Sequence, residues 1–269
     1  MKSIGPGICI EVLGVRGSLP AADRSFMEYG GNTSCICLRH SGGVLCFDAG
    51  SGLTRLLDRL SGAPRLDILI SHVHMDHILG LYALASLQGT EVHLYGEARE
   101  GVGFRRQLEA VLGPPYWPLE LCRAPSVHIH EIAAGDGFSL PGGAQVRTLR
   151  GNHPNGSVLY RVQLGERGVT YALDCELDEA LTPALVEFAK DSDLLIWDAS
   201  FTSGDKRPGW GHSTWEEGLA VAGRAGAERV LMTHYSGGYT DEFLAQQERL
   251  ARGRSSGCIF AQEGMVIEL

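Results

Sequence analysis

The chain has no run of about 18 apolar residues, so no stretch is fitted to cross a bilayer as a helix. It has no CxxC pair. Its seven cysteines (Cys9, Cys35, Cys37, Cys46, Cys122, Cys175 and Cys258) are an odd number, and most lie in apolar stretches such as Ile8–Ile10 and Val44–Phe47. Buried, reduced thiols are the expectation rather than a disulfide framework. Basic residues are scarce: 23 Lys and Arg against 32 Asp and Glu leave a net charge of −9. Long nucleic acid is gripped through many phosphate contacts, so it is not an expected partner. A small anionic substrate stays open, because a bound cation can supply local positive charge. The first seven residues lack the apolar run of a secretory signal, and a cytoplasmic protein is expected. No linker-like stretch or short-period repeat divides the chain, so residues 1–269 are read as one domain.

Glycine, by contrast, is plentiful, with 36 residues, and short apolar runs are separated by tight turns. Ile8–Leu13, Ser34–Leu38, Val44–Phe47, Leu66–Ile70 and Val92–Tyr95 read as strands, the second and third forming a hairpin around Ser41-Gly42-Gly43. Leu53–Leu60, stopped at Ser61-Gly62, and Arg99–Leu112, stopped at Gly113-Pro114-Pro115, read as helices. The second half repeats the style. Strands are expected at Val127–Ile132, Ala144–Leu149, Val158–Leu164, Val169–Leu173, Leu194–Trp197, Val230–Met232, Cys258–Phe260 and Met265–Ile267. Helices are expected at Glu179–Lys190, Ser213–Ala225 and Asp241–Arg252, with Ser213 or Thr214 near an N-cap. Helices that come singly between groups of strands fit two sheets flanked by helices, an αβ/βα sandwich of α/β (α+β) class.

The ten histidines are unevenly spread. Three fall within His72-Val73-His74-Met75-Asp76-His77, after the buried strand Leu66–Ile70 and before Ile78-Leu79-Gly80-Leu81. Three imidazoles and a carboxylate packed at a strand end are costly to bury unless something coordinates them. Alternate residues of an extended segment point the same way, so His72 and His74 can share one ion. Asp76 and His77 lie beyond the bend and can face a second.

This HxHxDH pattern after a strand resembles the metallo-β-lactamase superfamily. The resemblance implies a four-layer αβ/βα sandwich and three further ligands at strand ends, which His153, Asp174 and His234 supply. It implies that His72, His74 and His153 hold one ion, Asp76, His77 and His234 the other, and that Asp174 bridges them. Two divalent ions follow, with zinc favoured and manganese or iron as rivals. Asp48 in Cys46-Phe47-Asp48-Ala49-Gly50 matches a family motif and would orient a ligand histidine, as Asp198 would at a second strand end. Asp198-Ala199-Ser200-Phe201 followed by His212-Ser213-Thr214 resembles the phosphodiesterase branch, which includes ribonuclease Z and small cyclic-phosphodiester hydrolases. There the residue matching His212 serves the scissile phosphate or its leaving oxygen, so Asp76 and His212 are the catalytic candidates. Gly14-Val15-Arg16-Gly17-Ser18 and Tyr29-Gly30-Gly31-Asn32-Thr33 resemble cyclic-nucleotide-phosphodiesterase-like bacterial proteins. Arg16 and Asn32 could contact phosphate, or their loop could simply cover the site. The aromatic loop Gly113–Pro118 could wall a pocket and stack on a base, or only pack.

The expected activity is therefore metal-dependent hydrolysis of a cyclic nucleotide or other small phosphodiester. The rivals are ester, lactone or thioester hydrolysis at the same metal pair, and a non-catalytic nucleotide sensor, whose mark would be lost ligands. No membrane partner is expected, and a homodimer stays open.

Overall fold

The computed structural model describes residues 7–57, 59–60 and 63–269. The first six residues, and Asp58, Ser61 and Gly62 at the end of the helix expected over Leu53–Leu60, lie outside the described residues.

Six strands open the chain: β1 (Cys9–Gly14), β2 (Cys35–His40), β3 (Gly43–Phe47), β4 (Arg65–Leu69), β5 (Glu91–Glu97) and β6 (Val127–Ile132). Seven follow: β7 (Gly137–Ser139), β8 (Gln145–Gly151), β9 (Ser157–Leu164), β10 (Arg167–Ala172), β11 (Leu194–Asp198), β12 (Arg229–Thr233) and β13 (Cys258–Phe260). The last strand, β14 (Val266–Glu268), returns to the first sheet. The two seven-stranded sheets run β14-β1-β2-β3-β4-β5-β6 and β13-β12-β11-β10-β9-β8-β7. Each is mixed, with antiparallel strands on one side and parallel ones from β3 to β6 and from β10 to β13.

Strand β2 shows why the sheets are covered on both faces. Ile36 and Leu38 enter the core between the sheets, while Cys35 and Cys37 enter a second core on the outer face. Successive side chains of a strand point oppositely, so an all-apolar strand needs two covers. The outer cover of the first sheet includes α1 (Thr54–Leu57), α2 (Met75–Ile78) and α3 (Phe104–Glu109). The second carries α4 (Leu181–Phe188), α5 (Trp215–Ala225) and α6 (Asp241–Arg254). The result is the αβ/βα sandwich. All seven cysteines are buried and free. No helix among the described residues is long and apolar enough to cross a membrane.

Helix α3 is shorter than the Arg99–Leu112 pattern predicts. Gly101 takes a positive φ of 78°, Arg99 and Val102 close a turn on each other, and Gly103 stands at the N-cap. Glycine's freedom there ends the apolar periodicity before the helix begins.

Candidate metal centre

Strand β4 stops at Leu69, and His74 is still extended where α2 begins. This carries His72 and His74 together: His72 Nε2 is 2.8 Å from His74 Nδ1. His153, two residues past β8, brings its Nε2 to 3.2 Å from the same His74 nitrogen. The turn of α2 assembles a second trio. His77 Nε2 lies 3.4 Å from Asp76 Oδ2 and 3.2 Å from Nε2 of His234, the residue after β12. His234 Nε2 is also 3.4 Å from Asp76 Oδ2.

Asp174, two residues past β10, stands between the trios. Its Oδ2 is 3.7 Å from His72 Nε2 and 3.5 Å from His153 Nε2, and its Oδ1 is 3.3 Å from His77 Nε2 and 3.0 Å from His234 Nε2. The residue is 2% exposed, and Oδ1 has no hydrogen-bond partner. A buried carboxylate oxygen left without a partner is costly unless a cation completes its surroundings. Each trio could hold an ion, and Asp174 could serve both.

The outward nitrogens support the same fit. His77 Nδ1 is 2.6 Å from Asp48 Oδ2, and His153 Nδ1 is 2.9 Å from the Gly211 carbonyl. His72 Nδ1 and His234 Nδ1 meet the hydroxyls of Ser71 and Ser200 at 3.0 and 2.9 Å. A carboxylate and a carbonyl only accept, so Nδ1 of His77 and of His153 carries a proton, and Nε2 is the atom that faces inward. Asp48 also accepts from the Ser71 amide, the Ser71 hydroxyl and Tyr171 OH. Burial lowers His72, and neighbouring His77 adds to that, so its imidazole is held neutral. Burial pushes Asp174 the other way, but His234 and His77 outweigh it and keep its carboxyl well below the usual range.

His212 lies beside both trios, its ring centre 5.1 Å from that of His153 and 5.3 Å from that of His234. Its Nδ1 is 3.0 Å from Asp198 Oδ2. Burial disfavours its protonation, yet Asp198 prevails and raises it to about 9. Asp198 also accepts from the Ser200 amide and hydroxyl and lies 3.7 Å from His234 Nδ1.

Of the two readings of the glycine-rich loop, phosphate contact or cover, the side-chain contacts match the cover. Arg16 does not face the site. Its guanidinium is wholly buried, donating to the Gly30 carbonyl through Nε at 2.6 Å and to the Tyr239 carbonyl at 2.7 Å, so it ties loops together. Asn32 has its side chain committed to Glu263 and Ser51. The loop between them does cover the site: the Ser18 amide donates to Asp76 Oδ2 at 2.6 Å. Gly17 packs so closely that a Cβ there would lie 2.5 Å from the His234 ring. Sequence reasoning missed Ser18 because a backbone donor has no residue signature. The small residues of Gly17-Ser18 were the available signal. In the Gly113–Pro118 loop, Trp117 packs on Tyr82 with ring centres 4.8 Å apart.

A helix-flanked double sheet with such donors on the loops at its strand ends is the build of a metal-dependent hydrolase. The chain belongs to the beta-lactamase superfamily, whose domain profile matches residues 45–235. It is 27% identical to Ribonuclease Z of Methanosarcina acetivorans, across 87% of this chain and 89% of that protein. Among solved structures it resembles YhfI of Bacillus subtilis, a metallo-beta-lactamase fold protein, at a TM-score of 0.76 and 20% identity over 98% of this chain and 100% of that one. It also resembles a diphosphatase from the PhnP family, at a TM-score of 0.70 and 20% identity over 97% of each chain. The chain is thus a metal-dependent hydrolase of phosphodiesterase-like type, in a fold family that binds two divalent ions.

Proposed function

We propose that this protein hydrolyses a small phosphodiester, cyclic nucleotides included, at two divalent ions. His72, His74 and His153 would hold one, and Asp76, His77 and His234 the other, with Asp174 shared. An all N/O donor set suits zinc, and manganese or iron could take its place. When bound, such a pair supplies Lewis acidity and a water made acidic enough to act as nucleophile. The chain's own residues do the rest. Asp48 keeps the His77 ring turned inward, and the Ser18 amide steadies Asp76. His212, protonated against Asp198, stands where it can hand a proton to the leaving oxygen.

The observation that carries this reading is His212 on Asp198 beside the metal trios and outside both of them, with Nδ1 3.0 Å from Asp198 Oδ2. Asp174, Asp198, His212 and His234 also lie close enough together to hold an ion, so the metal content of a His212 variant decides between proton donor and ligand. The acidic chain, with a net charge of −9, favours a small substrate. The ribonuclease relatives favour RNA as a second reading, so a short RNA belongs in the substrate panel. The test is His212→Ala. Metal content should hold, while turnover of a diester falls by about 10²–10⁴-fold. A diester with a very acidic leaving group should lose less. Unchanged turnover, or loss of metal, would reject the role.

A further inference from the structure

Trp210 stands beside the centre and takes no part in the chemistry above. It is 55% exposed, one residue from Gly211, whose carbonyl holds His153, and two from His212. Its loop is fastened on both sides of the ring: the amides of Gly209 and Gly211 donate to Glu176 Oε2 at 2.8 and 3.0 Å. Glu176 itself follows Asp174 by two residues, so the tryptophan is tied to the same strand end as the shared carboxylate. The exposed Arg207 guanidinium lies 4.7 Å from the ring centre and covers one face. The exposure leaves area for a second partner. A large aromatic held half out to water on a fixed backbone leaves apolar area that a partner could cover. The mouth offers more apolar surface. Met75, between His74 and Asp76, is 44% exposed, and Leu19 follows Ser18 at the cover loop with 71% exposed.

We propose that Trp210 and Arg207 select a nucleoside phosphodiester over a simple alkyl one. The base stacks on the uncovered face of Trp210, while Arg207 backs the other face and adds positive charge beside the ring. Every base has a π-face, so the selection is for a nucleobase and not for one sequence. This deepens the phosphodiester reading and rests on it, and the test separates the two.

Two substrates with the same leaving group are compared on the metal-loaded full chain: thymidine 5′-(p-nitrophenyl phosphate) and methyl p-nitrophenyl phosphate. Trp210→Ala should raise KM for the nucleoside ester roughly tenfold, the scale of one stacked base, and leave the methyl ester within about twofold. Trp210→Phe should restore most of the loss. Equal effects on both esters, or none, overturn the proposal. A second readout needs no turnover. Thymidine 5′-monophosphate should quench the tryptophan fluorescence of the wild type, and Trp210→Phe should abolish the quench. An equal quench in the variant, or none in the wild type, overturns the stacking. If neither ester is hydrolysed, the phosphodiester reading fails and the fluorescence alone decides Trp210.

Discussion

Five residues around the centre hold a positive φ without being glycine: Ser18 at 63°, Asp48 at 56°, Asn155 at 61°, Asp174 at 51° and His234 at 61°. Such conformations cost of order 1–3 kcal/mol each and persist only where the surroundings enforce them. Asp48, Asp174 and His234 share a cause. Each follows a strand and must turn its side chain to the centre instead of continuing the pleat. The two aspartates should respond differently to substitution. Asp174→Ala removes the oxygens facing both trios, so metal content and turnover should fall together. Asp48→Asn keeps the shape but replaces an acceptor for His77 Nδ1 and Tyr171 OH with an amide. Metal affinity should drop about 10–100-fold, and excess metal should restore turnover. Titrating both variants with zinc while following bound metal and rate checks this. Full metal content and rate in Asp174→Ala would make the residue a strand cap only. The clustered side chains were legible because their spacing is unusual. The Ser18 amide and the Gly211 carbonyl were not, since main-chain donors and acceptors occur at every position.

Helix α5 sets the position of His212, which precedes it by three residues. Thr214 accepts from the Glu217 amide, and Glu217 accepts back from the Thr214 amide, a reciprocal cap. Trp197 of β11 is fully buried and donates to the Thr214 carbonyl at 2.9 Å. Gly218 lets that indole approach, for a Cβ there would sit 2.5 Å from the ring. Cap and indole together pin the helix start to the strand that carries Asp198. Thr214→Ala should therefore cost about 1 kcal/mol, a fall in Tm of about 3 °C, and kcat should fall with KM little changed. Thermal melts and steady-state rates measure this, and an unaltered melt would show that the cap contributes nothing. Sequence signals foretold this helix well, because Ser213-Thr214 preceded a clean amphipathic run. Arg99–Leu112 misled because its apolar spacing outweighed Gly101 and Gly103, whose backbone freedom decides the local structure. The three-residue β7 has too few side chains for a period to show.

Across the whole molecule, the two sheets divide the centre between them. The first sheet and its loops bring His72, His74, Asp76 and His77, and the second brings His153, Asp174, His212 and His234. Alternation and strand grouping made the sandwich legible, but this pairing of the halves was read through resemblance, since no local pattern says which strand ends will meet. An ion held from both sides links the sheets and stabilises only the folded state. At a free metal concentration a thousandfold above Kd that linkage amounts to about 4 kcal/mol, or about 10 °C in Tm for a chain of this size. Chelation should lower Tm by that order, and added zinc should restore it. In Asp174→Ala the metal-dependent shift should shrink by more than half, because the residue facing both trios is gone. Calorimetry of both proteins with chelator and then with zinc tests this. The same Tm for the wild type in both conditions would mean that no ion joins the sheets. A full shift retained in the variant would mean that each trio binds its ion without the shared carboxylate.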